Sequence, residues 1–213
     1  MLKLLQNLKN GEISLVESTC PIQGEGEYLI KTTKSLISTG TEKMLLEFGK
    51  ANYIDKARQQ PDKVRMVIKK IISEGIFSTI ESVRSRLNEP LHMGYCNVGT
   101  VEESFDGGFK KGTRVISNGN HASFVTVKKH LVAKIPDQVD DNTAAFVIPG
   151  SIALQGIRLL KPELGETIVV YGLGLLGQLA VQILVANGCE VIGIDLNEER
   201  CKLAEEFGAK TFN

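Results

Sequence analysis

The sequence predicts an α/β protein, in which a mostly β domain with a helical insertion precedes a nucleotide-binding domain on a doubly wound parallel sheet. Short alternating runs separated by Gly and Pro fill much of the first 145 residues, as in antiparallel strands. Apolar residues at helical spacing interrupt these runs. From Thr167 to Asp195 the chain reads as strand, glycine-rich turn, helix and second strand, the order of a βαβ unit. We therefore predict a first domain over residues 1–145, with its insertion at 43–90, and part of a Rossmann domain over 146–213.

Strand character on both sides of the insertion predicts the sheet of the first domain. The strand pattern covers residues 11–36 before the insertion and returns after it over residues 91–102, 110–116 and 122–127. Residues 35–42, between sheet and insertion, are rich in hydroxyl side chains, and we expect a loop there.

The insertion is predicted to be helical. Pro61 opens an amphipathic helix that ends at Gly75. Its apolar stripe consists of Val64, Val67, Ile68, Ile71 and Ile72. Ser78 and Glu81 predict a capping box for the next helix, which ends at Pro90. That helix carries Ile80, Val83 and Leu87.

The link to the nucleotide-binding domain contains a helix and a turn. Residues 143–159 predict a helix in two pieces, interrupted by Pro149 and Gly150, and residues 162–166 turn the chain into a strand. Because this strand, 168–171, is a continuous apolar run, we expect it to be buried on both faces.

A G-x-G-x-x-G motif follows this strand directly, formed by Gly172, Gly174 and Gly177. The first glycine permits a tight turn, the second lets backbone approach a pyrophosphate, and the third lets helix pack closely on strand. The next helix starts with Leu175 and Leu176, and its free N–H groups and dipole favour phosphates. These five residues are therefore predicted to bind a dinucleotide.

Asp195 ends the second strand of the βαβ unit. A carboxylate there accepts hydrogen bonds from the ribose hydroxyls of an adenosine but repels a 2′-phosphate, so it predicts NAD as cofactor rather than NADP. Arg200 on the next helix is a candidate contact to the same ribose. The alternative for Arg200 is an ordinary exposed helix position.

Composition argues against several classes of partner. Lys plus Arg and Asp plus Glu each number 25 among the 213 residues, so no net charge attracts nucleic acid or an anionic membrane. No run approaches the roughly 20 apolar residues of a membrane span, and the N-terminus lacks the apolar core of a signal peptide. We therefore predict a cytoplasmic protein.

The cysteines lack disulfide or zinc-site spacing and are predicted to be reduced thiols. They are Cys20, Cys96, Cys189 and Cys201.

The order of several short motifs resembles the medium-chain dehydrogenase/reductase superfamily, on its zinc alcohol-dehydrogenase side. The motifs are Gly40-Thr41-Glu42, Gly94 with Gly99-Thr100-Val101, Lys111-Gly112-Thr113-Arg114-Val115, Ala144-Ala145-Phe146 and the Rossmann glycines. The helical insertion and the Gly94-Tyr95 pair resemble bacterial bi-domain oxidoreductases more closely. In these a second oxidoreductase domain follows, and their genes often lie among those for surface-polysaccharide biosynthesis. The resemblance implies a GroES-like β-barrel that carries the catalytic residues and a Rossmann domain that binds NAD(P).

The resemblance also gives positions for a catalytic zinc, which in this chain read Thr39, Tyr95 and Ser151. Neutral hydroxyls are poorer zinc ligands than thiolate and imidazole, and the family's four-cysteine zinc lobe is missing from the sequence. We therefore expect no bound zinc. The histidines that offer alternative ligands are His92, His121 and His130. His92 has ligand-like spacing to Cys96, but two candidates do not complete a site.

Two hydroxyls remain as candidate catalytic groups. Thr41 matches the proton-relay hydroxyl of the family, and Tyr95 is a candidate acid near the nicotinamide. Either can pass a proton as hydride moves, provided that it lies within hydrogen-bond reach of a substrate oxygen. A packing role is the alternative for both.

We hypothesise a metal-independent, NAD-dependent oxidoreductase that moves a hydride between nicotinamide and an alcohol or carbonyl of a small, carbohydrate-like substrate. One alternative is a non-catalytic nucleotide-binding or scaffolding domain that serves a fused or partner oxidoreductase. Another is a zinc-independent quinone or enoyl reductase.

The last residues begin a further βα repeat. Asn197 caps a helix that ends at Gly208, and residues 209–212 enter a third strand. A doubly wound dinucleotide fold usually has about six strands. We therefore expect part of a longer polypeptide that, alone, binds NAD weakly, lacks turnover and covers its open sheet by forming homo-oligomers.

Overall fold

The computed structural model describes residues 1–105 and 107–213, without the side chains of Tyr53, Glu74, Ile76, Phe77, Ile80, Arg84 and Arg86. The chain divides into two compact units, residues 1–134 and 135–213. The first contains antiparallel sheets and a helical insertion, and the second contains a parallel sheet with helices. The α/β class is thus confirmed, while the GroES-like and Rossmann assignments and the boundary after residue 145 stay predictions. Among the described residues, no helix has the length and apolar character needed to cross a membrane.

Antiparallel strands build both sheets of the first unit. The smaller sheet consists of β1 (Leu2–Asn7), β2 (Ile13–Glu17) and β4 (Pro90–His92), in the order β2-β1-β4. The larger sheet consists of β3 (Glu27–Ser35), β5 (Asn97–Glu103), β6 (Arg114–Ser117), β7 (Phe124–Lys128) and β8 (Val132–Lys134), in the order β7-β3-β5-β6-β8. The predicted strand regions are confirmed. The alternation did not predict β1, the central strand of its sheet.

One hydrophobic core cluster of the first unit lies on one face of the larger sheet, since alternate side chains of a strand point to the same face. Its members are Tyr28, Ile30, Val101, Val115, Val125 and Val127. The ring of Phe105 packs at 5.0 Å and that of Phe109 at 5.4 Å from the Tyr28 ring, measured between centroids. The Tyr28 hydroxyl oxygen accepts the Phe109 N–H at 3.1 Å, so the edge of this core is also held by a polar contact.

Four helices form the insertion between β3 and β4. They are α1 (Thr39–Lys50), α2 (Tyr53–Gln59), α3 (Pro61–Glu74) and α4 (Ile76–Asn88). Pro61 is the first residue of α3, where its missing N–H costs nothing, and Gly75 ends that helix, as predicted. Of the predicted α3 stripe, Ile68 is 51% and Ile72 81% exposed, whereas Val64, Val67 and Ile71 are partly buried.

Two predictions about helix starts are wrong. Helix α1 begins at Thr39, inside the expected loop, because the Glu42 carboxylate accepts the Ser38 N–H at 2.8 Å and so stabilises this helix end. Helix α4 begins before Ser78, whose hydroxyl donates to the Gly75 carbonyl at 3.2 Å instead of forming a capping box. The side chain of Ile80, predicted for the apolar stripe of this helix, lies outside the described residues.

The second unit carries a parallel three-stranded sheet in the order β11-β10-β9, formed by β9 (Thr167–Tyr171), β10 (Glu190–Ile194) and β11 (Lys210–Phe212). Its helices are α5 (Asp141–Ala144), α6 (Val147–Leu160), α7 (Leu175–Ala186) and α8 (Glu198–Glu206). The predicted third strand is confirmed, and so is the Asn197 cap, whose side chain accepts the Arg200 N–H. The core consists of Ile157, Leu173, Val181, Leu184, Cys189, Val191, Cys201, Ala204 and Ala209.

Two further predictions are corrected in this unit. The break between α5 and α6 falls before Val147, and Pro149 and Gly150 lie in the first turns of α6, where proline removes an N–H that has no helical partner anyway. Strand β9 is not buried on both faces, since Val169 is 57% and Tyr171 83% exposed. The core packs against only the other face of this strand.

Lys56 ties the insertion to the smaller sheet. Although only 7% exposed, it keeps hydrogen bonds from Nζ to the carbonyl oxygens of Lys9 and Gly49, both at 2.9 Å. Burial lowers the pKa of its ammonium group. The Lys56 side chain therefore supplies donors that these carbonyl groups would otherwise lack.

We predict that Lys56→Met lowers the free energy of unfolding by about 1–3 kcal/mol, because it removes donors from partly buried carbonyl groups. Urea denaturation measures the change, and Lys63→Met, at an exposed position of α3, is the matched control. Equal stability of the two variants would contradict the assigned role of Lys56.

Candidate functional site

The glycine-rich turn joins β9 to α7 and gives each of its glycines a separate role. Gly172 has φ +90°, a conformation that favours glycine. A Cβ on Gly177 would collide with the carbonyl oxygen of Gly172, so only glycine allows α7 to approach the turn this closely. A Cβ on Gly174 would meet no atom within 4 Å. Packing therefore does not require the second glycine, and the space beside it is available to a ligand.

The N-terminus of α7 opens at this turn. Gly174 is its N-cap and provides no side-chain cap. The first helical hydrogen bond runs from the Gln178 N–H to the Gly174 carbonyl at 2.9 Å. The N–H groups of Leu175, Leu176 and Gly177 come before it and lack intrahelical acceptors. Together with the helix dipole, they favour an anion such as phosphate.

Asp195 lies beside the turn, at the carboxyl end of β10, and its side chain is 10% exposed. One carboxylate oxygen accepts the Leu173 N–H at 2.7 Å and the other accepts the Asn197 N–H at 2.8 Å. The Asn197 and Leu173 N–H groups hold the pKa of this carboxyl below its usual range, and the nearby Arg200 adds to the effect. The Arg200 guanidinium lies 3.6 Å from the carboxylate. The structure thus brings the turn, Asp195 and Arg200 together, as the sequence predicts.

Gln178 also supports this turn, a role that the sequence pattern did not predict. Its side-chain amide donates to the Leu173 carbonyl at 3.1 Å and to the Arg200 carbonyl at 2.7 Å. The amide oxygen is buried and has no hydrogen-bond partner in the described part of the chain. The available signal was one of two glutamines in a mostly apolar helix. Gln178 fixes the turn relative to α8.

The two candidate catalytic residues lie at the N-terminus of α1, in the first unit. The hydroxyl of the half-buried Tyr95 donates to the Ser38 hydroxyl oxygen at 2.8 Å. Ser38 is the N-cap of α1, and Thr41 is an exposed residue of the first turn of this helix. The fold therefore brings Tyr95 into contact with Ser38, a residue distant in sequence that lies at the same helix end as Thr41.

A buried carboxylate–imidazole pair adjoins these residues. The Nε2 atom of His121 lies 3.3 and 3.2 Å from the two carboxylate oxygens of Glu42, and its Nδ1 atom lies 2.8 Å from the Ser35 hydroxyl. The side chains of His121 and Glu42 are 9% and 7% exposed. The sequence indicated His121 only as a candidate metal ligand and indicated no role for Glu42, because their contact joins distant parts of the chain.

The residues at the expected zinc positions make other contacts. Thr39 is exposed at the start of α1, and the Ser151 hydroxyl donates to the Val147 carbonyl at 2.7 Å. Within residues 1–105 and 107–213, no group of three His, Cys, Asp or Glu side chains is arranged to hold a metal ion. His92 and His130 are exposed. Burial, followed by the charge of Glu42, raises the pKa of the Cys96 thiol to about 11, so this thiol stays protonated at neutral pH.

A zinc-binding dehydrogenase family model matches residues 176–213. The (R,R)-butanediol dehydrogenase of Bacillus subtilis is 26% identical over 199 residues, which cover 74% of this chain and 58% of that protein. The chain thus spans less than two thirds of the length of this relative. The predicted resemblance to the medium-chain dehydrogenase/reductase superfamily is confirmed, and the relatives are oxidoreductase enzymes.

Solved structures show the same fold. Galactitol-1-phosphate dehydrogenase from Escherichia coli superposes with a TM-score of 0.74 at 20% identity, covering 100% of this chain and 61% of that one. A mycobacterial protein complexed with NADPH gives 0.68 at 26% identity, covering 99% and 57%. A short chain alcohol dehydrogenase of Escherichia coli CFT073 complexed with NADH gives 0.74 at 21% identity, covering 100% and 62%.

We predict that iodoacetamide alkylates Cys20 much faster than Cys96 in the folded protein at pH 8, because Cys20 is exposed while Cys96 is buried with a raised pKa. Peptide mass spectrometry after timed quenching measures both rates, and alkylation in urea provides the unfolded control. Similar rates in the native protein would contradict the burial of Cys96.

Proposed function

Starting from the resemblance to zinc-binding dehydrogenases, we propose that this chain is part of an NAD-dependent, zinc-independent oxidoreductase that acts on an alcohol or carbonyl of a small, carbohydrate-like substrate. The observation that carries the proposal is the glycine turn with open space at Gly174, beside an oriented and charged Asp195. The names of the relatives, butanediol and galactitol-1-phosphate dehydrogenases, support a polyol-like substrate.

The residues of the turn fit a dinucleotide. Its pyrophosphate would lie against Gly174 and the N–H groups of Leu175, Leu176 and Gly177, where the backbone leaves both donors and space. Bound nicotinamide supplies the hydride chemistry, whereas the protein supplies binding and orientation.

Asp195 supports the preference for NAD. Its two backbone hydrogen bonds fix the carboxylate, yet a carboxylate has about four acceptor positions, which leaves capacity for ribose hydroxyls. Because its pKa is lowered, the group is charged at neutral pH and repels a 2′-phosphate. Arg200 offsets part of this charge, and its own donors can reach the same ribose.

Tyr95 is the proposed proton-transfer group, with Thr41 as a second hydroxyl on the same helix end. Since the Tyr95 proton is directed at Ser38, the lone pairs of the phenol oxygen can accept the proton of a substrate hydroxyl. A chain of hydroxyls of this kind moves a proton without a metal ion. Thr41 is exposed at the same helix end and is the second candidate for this transfer.

We predict that the unmodified protein binds NADH more tightly than NADPH, and that Asp195→Ala weakens NADH binding by about tenfold or more while affecting NADPH less. Titration of NADH and NADPH fluorescence measures both affinities. Glu199→Ala removes the same charge from an exposed position nearby and is the matched control. Equal affinity of the unmodified protein for the two cofactors would refute the NAD preference.

We predict that a panel of sugars, polyols and their phosphates contains a substrate that the whole enzyme containing this chain oxidises with NAD, and that Tyr95→Phe lowers its kcat about 100-fold without changing NADH affinity. Steady-state absorbance of NADH measures turnover. Binding of NADH with no turnover of any alcohol or carbonyl would instead favour the scaffolding alternative.

We predict well under one zinc per chain after chelator dialysis, since Thr39, Tyr95 and Ser151 offer only hydroxyls where zinc would need thiolate and imidazole. Elemental analysis of protein purified without a histidine tag measures the metal content. A full equivalent of retained zinc would show that other side chains bind it.

A further inference from the structure

We infer that His121 and Glu42 are positioning residues, which hold the Tyr95 hydroxyl in a fixed direction through Ser38. The catalytic role of Tyr95 in this inference rests on the proposed function, whereas the orientation of the Tyr95 hydroxyl can be tested without it. Four contacts carry it, and they form one continuous path from the Ser35 hydroxyl to the Tyr95 phenol.

The first step is the orientation of the His121 ring. An ionised carboxylate can only accept hydrogen bonds, so the Nε2 atom that faces Glu42 at 3.2 Å must carry a proton. In the neutral ring Nδ1 is then an acceptor, and it lies 2.8 Å from the Ser35 hydroxyl, which can donate to it. Both ring nitrogens are therefore used, and the ring cannot rotate without losing a contact.

The backbone fixes the same ring. The His121 N–H donates to the Met93 carbonyl at 2.8 Å, and its carbonyl accepts the Leu4 N–H at 2.9 Å. A Cβ on Gly94 would lie 2.6 Å from the ring atoms, so the imidazole packs directly on the backbone of the residue before Tyr95. At φ +83°, Gly94 also has a conformation that favours glycine.

The second step is Glu42, whose buried carboxylate receives two kinds of donor. It accepts the Ser38 N–H at 2.8 Å in addition to the His121 imidazole. Without its imidazole partner this carboxylate would be buried with too few hydrogen bonds, and it would be expected to move toward water. Such a movement would release the Ser38 N–H.

The third step is the contact of the Ser38 hydroxyl with Tyr95, which replaces the usual capping bond of an N-cap serine. A serine at the N-cap normally turns its hydroxyl to the helix N–H groups, but this hydroxyl makes no cap hydrogen bond to α1. It accepts the Tyr95 hydroxyl at 2.8 Å instead. Since Glu42 holds the Ser38 backbone, the Ser38 hydroxyl is free to hold Tyr95. His121 therefore determines the direction of the Tyr95 phenol without touching it.

Fluorine NMR of the full chain tests this arrangement. The protein is labelled with 3-fluorotyrosine at its four tyrosines, and the signal lost in Tyr95→Phe identifies Tyr95. We expect His121→Ala to shift or broaden the Tyr95 signal while the other three tyrosine signals remain in place. His121→Gln, whose amide can still donate to Glu42, should return the Tyr95 signal close to its original position.

The controls separate this role from a general loss of structure. His130→Ala removes an exposed histidine and should leave all four signals unchanged. If His121→Ala does not fold, Ser35→Ala, which removes only the hydroxyl on Nδ1, is used in its place and should cause a smaller shift of the same signal. An unchanged Tyr95 signal in a folded His121→Ala or Ser35→Ala variant would overturn the inference. Equal displacement in His121→Gln and His121→Ala would also overturn it.

Turnover gives a second measurement once a substrate is identified. We expect His121→Ala to lower kcat about tenfold or more, because a misplaced catalytic group is costly, while NADH affinity stays unchanged. His121→Gln should recover much of kcat. If neither the unmodified whole enzyme nor any of its variants oxidises a substrate, the proposed function fails, whereas the NMR result still decides whether His121 orients Tyr95.

Discussion

Residue 177 must be glycine, because any side chain there would collide with the Gly172 carbonyl oxygen. This constraint sets how closely α7 packs on the turn in the second unit. With glycine there, α7 starts immediately beyond the end of β9, and its N–H groups open at the turn. Leu173 is then 1% exposed in the core, and its N–H reaches Asp195 on the neighbouring strand. The close packing of α7 on the turn and the contact of Leu173 with Asp195 thus depend on the same absence of a side chain.

Buried polar groups hold the two candidate sites in the same way, through contacts between distant parts of the chain. In the second unit the Gln178 amide joins the turn to α8 by two carbonyl groups. In the first unit the Glu42 carboxylate joins the start of α1 to the segment before β7. A buried polar group that loses its partner costs about 1–3 kcal/mol, so such contacts specify one arrangement more sharply than apolar packing does.

The two compact units hold different parts of the proposed chemistry. The second unit presents backbone donors and a fixed carboxylate, which suit a dinucleotide, while the first unit presents the hydrogen-bonded hydroxyls of Tyr95 and Ser38. The hydroxyls of Thr39 and Tyr95 in the first unit can exchange protons but are poor zinc ligands. In the proposed function, cofactor affinity and proton transfer therefore depend on different residues and can be changed by separate substitutions.

The sequence by itself determined the features that depend on local spacing. The alternation of the strands, Pro61 and Gly75 at the ends of α3, the three glycines, Asp195 and the third parallel strand follow from periodicity and from the conformations that glycine and proline allow. Tertiary structure decided the rest. Glu42 set where α1 begins, the one-sided core left Val169 and Tyr171 exposed, and the contact of His121 with Glu42 arose between residues far apart in sequence. Local residue spacing cannot predict such contacts, because hydrogen bonds between distant segments form only when the sheets bring those segments together.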